Sequence, residues 1–85
     1  KRTGRNRVVR NALIAAGNSG DLAFVPLVQR LLDDESSLVR AMAIWALHEL
    51  VDLETFEALR RERASLETDP VVAGEWCVQN QGKSE

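Results

Sequence analysis

Cysteine is almost absent from this chain, with Cys77 the single one in 85 residues. One thiol makes neither an intramolecular disulfide nor a cysteine-held cluster, which removes the disulfide-stapled scaffolds and local iron–sulfur chemistry. Cys77 has no second thiol, no neighbouring histidine and no activating helix start, so it reads as an inert, partly buried side chain. Histidine is equally scarce. His48, followed by Glu49, is the only one, and a metal site needs three or four ligands, so no metal ligands are assigned. No apolar run approaches the roughly 18 residues that span a bilayer, and nothing at the start reads as a signal peptide. A reducing, cytoplasmic setting without a membrane partner is expected. There is no glycine-rich phosphate loop and no nucleophile–base pair, so no catalytic residue is assigned and the segment by itself is not an enzyme. The few aromatic anchors are Phe24, Trp45, Phe56 and Trp76.

What is present is a repeat. Val9-Arg10-Asn11-Ala12-Leu13-Ile14-Ala15-Ala16-Gly17 returns thirty residues on as Val39-Arg40-Ala41-Met42-Ala43-Ile44-Trp45-Ala46-Leu47. A fainter copy, Val71-Val72-Ala73-Gly74-Glu75-Trp76, follows about thirty-three residues later. Self-similarity at that period is the signature of an α-solenoid, whose helix pairs bury their apolar faces only against neighbours. An all-α fold of about five helices is expected over residues 1–78, followed by a frayed tail over 79–85. The chain opens on what reads as the second helix of a first repeat, with two helix pairs after it. It is therefore expected to be the C-terminal piece of a longer protein.

The helix boundaries have local signals. The first helix is expected from about Arg5 to Ala16, stopped by Gly17-Asn18-Ser19-Gly20. Asp21 caps the next, with Phe24, Leu27, Val28, Leu31 and Leu32 on its apolar side and Pro26 making its start irregular. Ser36 caps a third helix to about Val51, apolar almost all round and so the inner one. Asp52 caps a fourth, with Leu53, Phe56, Leu59 and Leu66 inward and Glu57 spaced to pair with Arg61. Asp69-Pro70 opens a short last helix carrying Val72 and Trp76.

The net charge of −2 hides an asymmetry. Residues 1–10 carry Lys1, Arg2, Arg5, Arg7 and Arg10 and no acid, a local +5, while the remainder holds six basic and thirteen acidic residues. Arg7, Arg10, Asn11 and Ile14 share one helix face. Arginine forks suit phosphate, and the helix dipole does not favour arginines at a helix start, so these side chains call for an anionic partner. An acidic face of another domain would serve as well. Arg40 has a structural use, reaching back to Asp33 or Asp34 in the preceding turn. Trp45 and Trp76 are packing residues before they are stacking platforms for bases.

The string Lys1-Arg2-Thr3-Gly4-Arg5-Asn6-Arg7-Val8-Val9-Arg10-Asn11, running into Gly17-Asn18-Ser19-Gly20-Asp21, closely resembles the C-terminal HEAT-like repeat region of bacterial tRNA epoxyqueuosine reductase. Leu31-Leu32-Asp33-Asp34 through Val39-Arg40 to Ile44-Trp45-Ala46-Leu47 is also similar, and Val72-Ala73-Gly74-Glu75-Trp76 more loosely so. Asn6 stands where the family has aspartate, and Ala73 where the third repeat has arginine, which leaves that repeat without its Asp–Arg tie. The resemblance implies a parent oxidoreductase of queuosine biosynthesis. It would use cobalamin and two 4Fe-4S clusters held by an upstream catalytic domain, with no cofactor in this segment. It implies tRNA docking (anticodon region) through Arg5, Arg7 and Arg10, with Lys1, Arg2 and Asn11 beside them. Arg40, Asp34, Trp45, Gly17 and Asp69 are the structural positions. The alternative is a protein–protein interaction scaffold with no nucleic-acid role.

Overall fold

A computed structural model describes residues 2–76, with side chains from residue 4 onward. Lys1, Cys77 and the tail expected over 79–85 lie outside the described residues. Five helices follow one another: α1 (Arg2–Ser19), α2 (Val25–Leu31), α3 (Ser37–Leu50), α4 (Leu53–Arg63) and α5 (70–76). Short 3-10 turns, Leu22–Phe24 and Ala64–Leu66, precede α2 and follow α4. Among the described residues there is no strand, and no helix is long and apolar enough to cross a membrane.

The caps fall where the side chains can reach the first free N–H groups. The Ser36 hydroxyl accepts from the Val39 N–H at 3.4 Å, and the Asp52 carboxylate from Thr55 at 3.0 Å. Asp69 accepts from Val71 at 2.8 Å, with Pro70 at the first helical position. Asp21 accepts from Ala23 at 2.9 Å, but what it caps is the 3-10 turn. Pro26, in the first turn of α2, loses no hydrogen bond there.

α1 is longer than its local signals indicate. Gly4 lowers helix propensity by about 1 kcal/mol without breaking the helix. At the other end the helix runs through Gly17 and Asn18, and Gly20 (φ 70°) turns the chain in the left-handed region. Gly17 is thus a packing glycine, not a stop. A Cβ there would lie 2.6 Å from Cζ3 of Trp45 and 3.3 Å from the Ala46 Cα.

α3 is the inner helix. It buries Val39, Ala43, Ile44, Ala46, Leu47 and Leu50, and packs on α1, α2 and α4. Leu13 of α1, Val28 of α2, Leu32 just after it, Phe56 of α4 and Val72 and Trp76 of α5 complete the core. The Phe56 ring meets His48 edge-on at 5.1 Å and Trp76 at 5.3 Å. Two expected apolar faces are narrower than their sequence suggests. Phe24 and Leu27 remain 38% and 48% exposed; Phe24 lies in the 3-10 turn before α2, and the buried side of α2 is centred on Val28. Leu53 and Leu66 remain 48% and 72% exposed. Leu66 lies in a 3-10 turn, where the period of 3.6 no longer applies.

Ion pairs join segments about one repeat apart. Arg5 meets Asp34 at 2.6 Å, Arg63 meets Asp33 at 2.7 Å, and Arg40 meets Glu67 at 2.9 Å. Arg40 does reach the acidic turn, but through the main-chain oxygens of Asp34 (2.8 Å) and Glu35 (3.2 Å). The expected carboxylate partner is replaced, since the Asp34 carboxylate is held by Arg5 and by the Ser36 N–H. Glu57 pairs with Arg60 at 2.6 Å instead of with Arg61.

Candidate nucleic-acid interface

α1 brings its arginines together by helical spacing, and its neighbours then sort them. Arg5 points to the α2–α3 turn. Its two terminal nitrogens bond Asp34 at 2.6 and 3.3 Å, and the Asp34 carboxylate is only 8% exposed. That bond is the main cause holding the Asp34 carboxyl below its ordinary value of 3.8. Arg5, expected among the phosphate contacts, is therefore engaged in an internal tie.

Arg7 and Arg10 lie on the other side of that arrangement. With Asn6 of α1 and Leu38 at the start of α3 they line a recess of about 280 Å³. Arg7 is exposed and Arg10 half-buried. The Nε of Arg10 is buried and has no hydrogen-bond partner. A buried N–H without an acceptor is costly, and more so on a charged group. The residues lining the recess include no carboxylate. Asn11 is exposed on the adjoining strip of α1. The Arg2 side chain lies outside the described residues.

The groove between α1 and α3 continues past this recess. Leu38 faces Asn6, Arg7 and Arg10, and one to two turns on Ala41, Met42 and Trp45 face Ile14 and Asn18. The two helices therefore run side by side in the same direction, as successive second helices of a solenoid do. This second hollow, about 340 Å³, also takes Glu75 from α5. Trp45 is half-buried, its ring edge resting on Gly17.

A third hollow, about 200 Å³, lies between the α2–α3 turn and the segment after α4, among Asp33, Asp34, Arg40, Arg63 and Glu67. Its charges are already matched within the fold. Among the described residues no three His, Cys, Asp or Glu side chains converge as metal ligands. The recess at Arg10 was legible only as a charge run, because which arginine is tied internally depends on Asp34, 29 residues away.

Compared with known protein families, residues 2–76 match the family model described as HEAT repeats. No curated protein and no solved structure matches the chain.

Proposed function

The chain belongs to the HEAT repeats and is a helical scaffold or interaction module, and from that premise we propose that its partner is tRNA, held by phosphate contacts at Arg7 and Arg10. The observation that carries this reading is the pair Arg7 and Arg10, exposed and half-buried, in a recess lined by no acid. A phosphate in the recess meets two guanidinium groups that no acid of the recess neutralises, and their terminal nitrogens can give charge-assisted hydrogen bonds. Two arginines one turn apart follow a backbone and read no base, so the contact positions the nucleic acid without specifying its sequence.

The parent activity rests on resemblance. The string from Lys1 to Asn11 and the Gly17-Asn18-Ser19-Gly20-Asp21 element favour a module of an epoxyqueuosine reductase, acting on the anticodon region of tRNA. Cobalamin and two 4Fe-4S clusters would then belong to an upstream catalytic domain, which this segment would support. In that reading the module itself carries out no chemistry. Its contribution is to hold tRNA while the chemistry occurs elsewhere in the protein.

The test compares tRNA affinity across a salt series for the unaltered chain, an Arg7→Gln/Arg10→Gln variant and an Arg5→Gln variant. Loss of Arg7 and Arg10 should weaken binding similarly for different tRNAs and lower the salt slope of log affinity by about 1 per contact. Arg5→Gln should lower stability more than affinity. An unchanged slope in the double variant refutes the assignment.

A further inference from the structure

The α1–α3 groove has two ends of different chemistry. One is the cationic recess at Arg7 and Arg10; the other is the hollow of Ile14, Met42 and Trp45, with Asn18 and Glu75 at its edges. We infer that this hollow receives one unstacked base of a single-stranded RNA segment whose phosphate sits at Arg7 and Arg10, with Trp45 as the stacking surface. The inference rests on the phosphate reading of that recess and extends it from backbone to base.

Five observations support it. Arg7, Arg10, Ile14 and Asn18 lie along one face of α1 at three- and four-residue steps, so both ends belong to one continuous strip. From Arg7 to Ile14 the axial advance is roughly 10 Å at about 1.5 Å per residue, within the reach of a nucleotide from its phosphate to its own or the next base. The hollow, at about 340 Å³, holds a planar ring against apolar walls. Its polar edge residues are of the kind that read a base: Asn18 both donates and accepts, and the Glu75 carboxylate accepts from an exocyclic amine. Trp45 is also held in place, because Gly17 lets its ring rest on the α1 backbone. A ring fixed before binding loses little entropy on stacking. An apolar side chain of a protein partner fits the hollow as well, but leaves the uncompensated cations of the same groove without a role.

The experiment uses a short single-stranded RNA and its counterpart with abasic sites, which keeps every phosphate and removes the bases. Binding and tryptophan fluorescence are read on the unaltered chain and on Trp45→Leu. The buried Trp76, 2% exposed, is the internal reference emitter. The expected result is quenching by the normal RNA only, with affinity about tenfold or more above that of the abasic strand. Trp45→Leu should abolish the quenching and bring the two affinities together. Equal, salt-dependent affinities with no quenching in the unaltered chain overturn the base site while leaving the phosphate contacts standing. Absence of salt-dependent binding to either strand overturns both. Quenching by a basic, apolar peptide and not by RNA overturns the inference in favour of a protein occupant. Because the abasic comparison needs no mutation, misfolding of Trp45→Leu would not obscure the outcome.

Discussion

Arg5, Arg7 and Arg10 are chemically identical and stand within two turns of one helix, yet they end in three different environments. Arg5 is bonded to Asp34, Arg7 is open to solvent, and Arg10 is half-buried with a free Nε. What separates them is the turn before α3, whose carboxylate takes the arginine nearest to it. Asp34 accordingly titrates below 3.8. A carboxyl lowered in the folded state stabilises above that value and loses its contribution as pH falls through its folded pKa. Thermal unfolding followed from neutral pH to about pH 3 should therefore show a smaller loss of Tm in Asp34→Asn than in the unaltered chain. Equal losses would mean the bond to Arg5 does not form in solution. Gly17 makes a second prediction at this scale. Alanine there gains helix propensity, but its Cβ meets the Trp45 ring and the Ala46 backbone. Overpacking should win, costing about 2 kcal/mol in denaturant unfolding. A more stable Gly17→Ala would contradict the close approach.

At the scale of elements, the helix starts were readable because a cap is a local event. Ser36, Asp52 and Asp69 each bond an N–H two or three residues ahead, so their sequence neighbourhood suffices. Gly17 misled for the same reason. A Gly-Asn-Ser-Gly cluster signals a helix end locally, whereas the requirement for glycine at that position comes from α3. The ion pairs were harder still. Arg40 was expected to bond a carboxylate of the preceding turn, and it bonds Glu67, 27 residues later. Glu67 and Arg40 are 8% and 16% exposed, so removing one partner strands a mostly buried charge. Arg40→Met should cost about 3 kcal/mol. Arg63→Met should cost less than about 1 kcal/mol, because Asp33 remains 72% exposed and the pair is screened. Urea unfolding of the two variants decides the order, and similar losses would show that burial does not set the strength of these ties.

For the whole molecule, a thirty-residue period was enough to give the architecture, since each helix pair repeats the same burial problem. α3 is enclosed because its neighbours on both sides present apolar faces, and the family match over residues 2–76 agrees with that arrangement. The function was less legible. The concentration of positive charge in the first ten residues indicated an anionic partner, but the fold consumes part of that charge internally and leaves Arg7 and Arg10. Those two residues carry the central claim. It is tested most directly by NMR of the arginine Nε–H groups as tRNA is added to the full chain. The Arg10 and Arg7 signals should shift with a common affinity and return as salt is raised, while that of Arg40, already bonded to Glu67, stays in place. Binding of tRNA with the Arg7 and Arg10 signals unmoved, or no binding at all, would contradict it.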